Sequence, residues 1–189
     1  MHGTDNPSAW LRRWAHLIAP QSRVLDVACG AGRHMRYLAE NGHTALGVDR
    51  NPDAVSLAQA YGEVICADIE NGPWPFHEQT FGGVVVTNYL WRALLPAIVQ
   101  SVAPGGVLIY ETFAAGHETV GKPSRHDFLL QPGELLSATE GLHTVAYEDG
   151  FEAAPERFVQ RIVAIRPQGI GEVARWHLKS NADPAPPTP

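Results

Sequence analysis

Cysteine is nearly absent from this chain. Cys29 and Cys66 are the only two in 189 residues, too few for a disulfide framework. A reduced, cytoplasmic protein is the expectation. No apolar run reaches the roughly 18 residues of a membrane span. The opening Met-His-Gly-Thr-Asp-Asn-Pro lacks the charged-then-apolar pattern of a secretion leader. Basic charge is scarce and scattered: 14 Lys and Arg face 20 Asp and Glu, a formal net charge of −6. A nucleic-acid substrate wants a concentrated basic footprint, so this balance disfavours one. Of metal ligands there are nine histidines, but no His-Glu-x-x-His and no Cys/His cluster with zinc spacing. No metal is expected, and no internal repeat is visible.

What is present is an alternation of apolar runs with helical patterns. Ser8 can cap a helix running to about Ile18, with Trp10, Leu11, Trp14, Leu17 and Ile18 on one face. Strands at 23–27, 44–48, 63–66, 83–87 and 106–112 alternate with helices at 33–40, 52–60 and 90–101. Pro52 suits a first helical turn. The alternation predicts an α/β domain with a mostly parallel sheet and crossover helices. Runs such as Val84-Val85-Val86 fit strands buried on both faces. A Gly- and Pro-containing stretch, 114–132, breaks the rhythm. A helix at 132–138 and an antiparallel pair near 142–149 and 157–165 close the domain. The expected division is a domain at 1–167 and a tail at 168–189. Its end, 181–189, has four prolines and is expected to be disordered.

The most informative run is Val24-Leu25-Asp26-Val27-Ala28-Cys29-Gly30-Ala31-Gly32-Arg33-His34. Strand, glycine turn and helix in succession build a nucleotide-cofactor site. Glycines admit close backbone approach, and the helix start offers unpaired N–H groups. Asp49 ends the next apolar run, about twenty residues on, where a carboxylate can accept from ribose hydroxyls. A dinucleotide turn wants a third small residue at position 35, and Met35 stands there. Asp26, four residues before Gly30, would repel a pyrophosphate and suits a cofactor with a cationic or amino-bearing end.

Asp26 to Gly32 resembles the Asp/Glu-x-Gly-x-Gly-x-Gly motif of class I S-adenosylmethionine (SAM) methyltransferases, with Ala28 in place of the first glycine. The likeness covers most of residues 8–167. Asp49 is similar to the family's ribose-binding acid, and Cys66-Ala67-Asp68-Ile69 to its adenine-side motif. Phe81 to Asn88 is similar to its fourth strand, and Val102-Ala103-Pro104-Gly105-Gly106-Val107-Leu108 to its turn into the fifth. The resemblance implies a doubly wound, seven-stranded Rossmann-like sheet with helices on both faces and a terminal antiparallel hairpin. It also implies SAM as the cofactor. Asp26 is then assigned to the loop or the cofactor's ammonium. Asp49 goes to the ribose, Asp68 to the adenine amino group and Ile69 to the adenine ring. Ala28, Cys29, Gly30, Gly32, Arg50 and Asn88 complete the cofactor set. Bland readings stay open beside these: Asp26 as a loop cap, Asp49 as the cap of the helix begun by Pro52, Asp68 as a solvated loop residue.

Methyl transfer from a sulfonium asks the protein mainly for alignment. A base is needed only if the acceptor arrives protonated. Glu111, at the end of the fifth strand, is the best base candidate; His34 after the turn and Tyr89 after the fourth strand are further catalytic candidates. Tyr89 or Trp91 could offer a π face to a cationic centre. Asn88-Tyr89-Leu90-Trp91 lacks the two prolines of the DNA and protein-glutamine amino-methyltransferases, so that chemistry is not indicated. Gly116 to Pro123 imitates a phosphate loop, but Pro123 replaces the Mg²⁺-binding hydroxyl and removes an N–H. Residues 114–131 are read instead as a mobile cover over an acceptor pocket, with Arg92, His117 and Lys122 as acceptor contacts. Glu111-Thr-Phe through Gly121-Lys-Pro to Asp127-Phe-Leu-Leu-Gln-Pro-Gly-Glu-Leu-Leu136 resembles small bacterial methyltransferases of the tellurite-resistance-like type. The leading expectation is an enzyme methylating a small molecule. Alternatives are a protein or RNA methyltransferase acting with a partner, and a non-catalytic SAM-binding subunit. Oligomeric state is left open.

Overall fold

The computed structural model describes residues 6–169 and 175–178. Seven strands form one sheet: β1 (Arg23–Val27), β2 (Thr44–Asp49), β3 (Glu63–Cys66), β4 (Phe81–Thr87), β5 (Val102–Phe113), β6 (His143–Ala153) and β7 (Glu156–Ile165). Their spatial order is β3-β2-β1-β4-β5-β7-β6. The first five are parallel, and β7 runs antiparallel to both β5 and β6. The order reverses at β1, between β2 and β4. A doubly wound sheet opens a crevice at such a switch point, outside the carboxyl ends of the strands.

Among the described residues five α-helices cover the sheet: α1 (Ala9–Trp14), α2 (Arg33–Glu40), α3 (Pro52–Ala58), α4 (Leu95–Gln100) and α5 (Glu134–Ala138). Strand side chains alternate faces, so each buried strand feeds two cores. Val24, Val85, Val107 and Val163 pack with Trp10, Leu11 and Trp14 of α1 and Met35 and Leu38 of α2. Leu25, Val84, Leu108 and Ile162 pack with Leu95 and Ile98 of α4 and Leu135 of α5. The seven-stranded α/β sheet with helices on both faces and an antiparallel end is therefore the observed fold.

Several boundaries differ from expectation for local reasons. The first helix stops at Trp14 and tightens into a 3₁₀ turn at Ala15–Leu17. The helix expected from residue 90 starts at Leu95, because Pro96 occupies its first turn. Strand β5 begins at Val102, before the Pro104-Gly105-Gly106 turn, and its pairing with β4 shifts register between Phe81 and Gly83. Met35 is fully buried beneath the sheet.

The segment 114–131 is not a loose cover. Leu129 and Leu130 are fully buried, and Ala114 bridges to Leu130. Arg92 clamps it, donating to the carbonyls of Asp127 (2.7 Å) and Leu129 (2.8 Å) and to both carboxylate oxygens of Glu134 (2.7 and 2.9 Å). In the expected tail, residues 175–178 return to the domain. The Trp176 ring lies 4.3 Å from that of His143, and His16 Nε2 is 2.9 Å from the His177 carbonyl. The expectation for 181–189 lies outside the described residues.

Candidate functional site

The turn between β1 and α2 uses its small residues in different ways. Gly32 has φ +82°, and a Cβ there would stand 2.9 Å from Ala58 of α3, so it is glycine for close packing. Gly30 has φ +55°, and a Cβ would meet nothing within 4 Å. The space above Gly30 is open, which is the cradle a ligand needs. Ala28 and Asn88 also adopt left-handed backbone, with φ +55° and +54°. Non-glycine residues held there cost on the order of 1–3 kcal/mol each, and such strain gathers at ligand sites.

Asp49 ties the turn to the end of β2. Its carboxylate accepts from Gly30 N–H (2.8 Å) and Asn51 N–H (2.9 Å). The cap of α3 is Asn51, accepting from Asp53 N–H at 3.0 Å, and not Asp49. Each Asp49 oxygen keeps a lone pair for a further donor. Asp68 accepts from Glu70 N–H, Asn71 N–H and the Asn71 amide. The Asn71 side-chain bond, followed by the Glu70 backbone bond, holds its carboxyl below the usual range. Ile69 beside it is buried, and Arg50 lies 3.7 Å from Glu70.

Asp26, His34 and Thr87 meet beneath the turn. His34 Nδ1 is 3.2 Å from the Thr87 hydroxyl and 3.7 Å from Asp26 Oδ1. Asp26 is 1% exposed, and among the described residues neither of its oxygens has a hydrogen-bond partner, nor does His34 Nε2. Unsatisfied buried polar atoms in such a cluster call for a ligand or an unplaced donor.

Two cavities flank Ala28. The smaller, about 190 Å³, is lined by Asp49, Arg50, Asp68, Ile69, Glu70 and Tyr89. It gathers three carboxylates against one arginine. The larger, about 680 Å³, reaches from Thr87 and Asn88 across Gly30 to Arg33, His34 and Arg36, and on to Leu57 and Tyr61. No acidic residue lines it among those described. The structure thus brings together Ala28, Gly30, Asp49, Arg50, Asp68, Ile69, Tyr89 and Asn88 around one crevice.

The predicted catalytic and acceptor residues divide between these cavities and other surroundings. Tyr89 sits in the acidic cavity, half-buried. Burial, then the charge of Glu70, pushes its hydroxyl far above the ordinary range. Glu111 is buried in an ion-pair cluster. One oxygen accepts from the Ser8 hydroxyl, and the other lies 3.5 Å from Arg161 and 3.9 Å from Arg157. Those partners occupy the carboxylate and favour it as structural glue. Arg92 spends its guanidinium on the 114–131 segment and Glu134, so it is not an acceptor contact. His117 is buried, stacked on Phe113 at 4.3 Å, and its Nε2 donates to the Lys122 carbonyl at 3.2 Å. The Lys122 side chain is exposed, and neither cavity includes it or His117. Cys29 is buried, and burial pushes its thiol strongly upward, followed by the charges of Asp26 and Asp49.

Sequence reasoning passed over Thr87, Arg33 and Arg36. The two arginines were legible as a basic pair at i, i+3 in the first turns after the glycines. Thr87 was not, because only the fold lays the last residue of β4 against α2.

The profile of a methyltransferase domain matches residues 24–106 of this chain, from β1 to the turn within β5. The chain is 27% identical to a 2-heptyl-1-hydroxyquinolin-4(1H)-one methyltransferase of Mycobacteroides abscessus, over 85% of this chain and 79% of that protein. It is 29% identical to an 18S rRNA (guanine-N(7))-methyltransferase of Mus musculus, over 69% of this chain and 46% of that one. TehB of Haemophilus influenzae has the same fold, with a TM-score of 0.64, 19% identity, and coverage of 80% of this chain and 59% of TehB. With the switch-point crevice and the glycine cradle, these matches make the chain similar to the class I SAM-dependent methyltransferases.

Proposed function

We propose that this chain binds SAM across the glycine turn and transfers its methyl group to a small-molecule acceptor. One observation carries the reading: a small acidic cavity and a larger one adjoin at Ala28, over a glycine whose missing Cβ leaves open space. Asp49 and Asp68 would hold the adenosine end, whose hydroxyl and amino groups are donors. Ile69 offers the adenine ring an apolar floor. The Gly30 turn and Asn88 would carry the amino-acid end, near the orphaned Asp26. SAM supplies an activated methyl on sulfur. The chain's task is then to exclude water and set the acceptor's line of approach. The larger cavity falls within the roughly 300–1,000 Å³ of small-molecule sites.

The hydroxyquinolone methyltransferase matches along most of both chains, which favours a compact acceptor of that kind. The net charge of −6 opposes RNA. Calorimetry should show saturable S-adenosylhomocysteine binding and none for NAD. Incubation with SAM should methylate 2-heptyl-1-hydroxyquinolin-4(1H)-one and leave rRNA unmodified. Saturable NAD binding without S-adenosylhomocysteine binding would remove the cofactor reading. Methylated rRNA would replace the acceptor reading with the partner-dependent one.

A further inference from the structure

His34 stands where three elements meet. It lies in the first turn of α2, beside Thr87 at the end of β4 and Asp26 of β1, and it lines the larger cavity. It is 2% exposed, and its Nε2 has no hydrogen-bond partner among the described residues. Of the buried side-chain atoms left without a partner there, only this nitrogen belongs to a residue lining the larger cavity. Leu57, Ala60 and Tyr61, at the end of α3 and just beyond it, give that cavity an apolar side. We propose that His34 is the general base of the methyl transfer, and that the acceptor is a hydroxyl, still protonated on arrival, borne on an apolar body. This rests on the methyltransferase reading above and names a base and a substrate class for that same site.

Three observations converge. The first is the tautomer that the ring's partners select. Nδ1 faces the Asp26 carboxylate at 3.7 Å and the Thr87 hydroxyl at 3.2 Å. An ionised carboxylate only accepts, so the proton of the neutral ring belongs on Nδ1. Nε2 then keeps its lone pair, and it is the nitrogen without a partner. The second is Asp26. It is 1% exposed, and neither oxygen has a hydrogen-bond partner among the described residues. A buried carboxylate left so is costly, and a positive charge formed beside it stabilises it. An imidazolium on His34 supplies that charge, as in a triad where a carboxylate orients and steadies the base. Asp26 is thus a positioning residue. The third is where the other candidates sit. Glu111 is engaged by Ser8, Arg157 and Arg161, Tyr89 lines the smaller cavity, and burial pushes the Cys29 thiol strongly upward. The charged and titratable groups around the ring's cavity are Asp26 from β1, Cys29 from the turn, Arg33 and Arg36 from α2, and Tyr61 from beyond α3. From β4 comes the uncharged Thr87.

A hydroxyl is the acceptor that needs such a group. A neutral amine attacks through its free lone pair and a thiol ionises readily, whereas a hydroxyl is a weak nucleophile until its proton leaves. As the oxygen lone pair forms the O–CH₃ bond, the O–H proton passes to Nε2 and the methyl–sulfur pair passes to sulfur. The products are a methyl ether, a neutral thioether and an imidazolium beside Asp26. The imidazolium gives its proton to water once the ether leaves.

2-Naphthol, a protonated hydroxyl on an apolar ring, and its methyl ether 2-methoxynaphthalene, which has no proton to give, serve as probes. Nitrogen-15 NMR of the S-adenosylhomocysteine complex at mildly alkaline pH should show His34 with a protonated Nδ1 and a bare Nε2. The signals are assigned by their loss in His34→Asn, and 2-naphthol should move that of Nε2. The Asn amide takes the place of Nδ1 beside Asp26 and Thr87, so this variant spares the packing and removes the base. By calorimetry it should weaken 2-naphthol about tenfold and leave 2-methoxynaphthalene and S-adenosylhomocysteine nearly unchanged. With SAM it should slow conversion of 2-naphthol to its ether about a hundredfold or more. His34→Gln, whose amide oxygen reaches toward the place of Nε2 without its basicity, should keep 2-naphthol binding and lose turnover to the same degree. A proton resident on Nε2, no binding of 2-naphthol, equal weakening of both probes, or parental turnover in either variant overturns the proposal. So does 2-naphthol that binds the parent's cofactor complex and is never methylated. If His34→Asn weakens S-adenosylhomocysteine but not 5′-methylthioadenosine, and spares 2-naphthol, the ring serves the cofactor and the proposal fails. If S-adenosylhomocysteine does not bind the parent, while 2-naphthol binds in a His34-dependent way, the hydroxyl site stands and the cofactor reading falls instead.

Discussion

Gly30 and Gly32 are two residues apart and answer to different constraints, which makes them separable by mutation. Gly32→Ala puts a Cβ against the backbone of Ala58 in a left-handed conformation. Overpacking of that kind costs about 1–3 kcal/mol, with the φ penalty added. It should lower the melting temperature of the empty protein. Gly30→Ala keeps only the φ penalty, about 1–2 kcal/mol, because its Cβ enters open space. Its main effect should be on S-adenosylhomocysteine affinity, by tenfold or more. Calorimetry and thermal melts on both variants check the split, and equal loss of stability with intact affinity would contradict it. The motif announced both glycines, yet it could not say which one packs and which one receives.

Cys29 makes a second residue-level prediction. Its thiol pKa is raised in the fold, first by burial and then by Asp26 and Asp49. The folded state therefore keeps a proton that the unfolded chain releases above roughly pH 8.5. Stability is full below that range and falls as pH rises through it. Denaturation at mildly and strongly alkaline pH should show a smaller decline in Cys29→Ala than in the parent. Iodoacetamide should label exposed Cys66 in the native protein and Cys29 only after unfolding.

At the scale of elements, legibility followed locality. Strands β1 and β3 and helix α2 lie where the sequence puts them, since an apolar run bounded by glycine or a turn needs no distant partner. Helix α4 was read five residues too early, although Pro96 marked its first turn. The segment 114–131 was misjudged for another reason. Its glycines and proline read as freedom, but its order comes from Arg92, 35 residues before the Asp127 carbonyl it binds. No local pattern carries that pairing. Arg92→Ala leaves two backbone carbonyls and Glu134 without their charged donor. Loss of hydrogen bonds to a charged group costs about 1.5–3 kcal/mol apiece before relaxation. Hydrogen exchange should rise at Leu129 and Leu130 ahead of the strands. Unchanged protection there would mean that burial of the two leucines alone holds the segment.

For the molecule as a whole, the site was legible where it depends on successive crossovers and illegible where it depends on the far half of the sheet. The set from Asp26 to Asp68 spans three successive strands, β1 to β3, and the two helices between them. The cluster of Ser8, Glu111, Arg157 and Arg161 joins both ends of the chain, and only the sheet order β5-β7-β6 assembles it. The same is true of residues 175–178, which the expected boundary at 167 assigned to a tail. Trp176 packs on His143 of β6 and, partly buried, against the core shared by α1 and α2, while the neighbouring His177 carbonyl meets His16. We propose that this return segment adds to the stability of the domain. A chain ending at Leu178 should melt above one ending at Gly169. Trp176→Ala within the longer chain should account for most of the difference. A half-buried aromatic removed from such a contact is worth about 1–2 kcal/mol, somewhat less than full burial of a large side chain. For a chain of this size that is roughly 2–8 °C in melting temperature. Identical melting of the two truncations would return the boundary to residue 167.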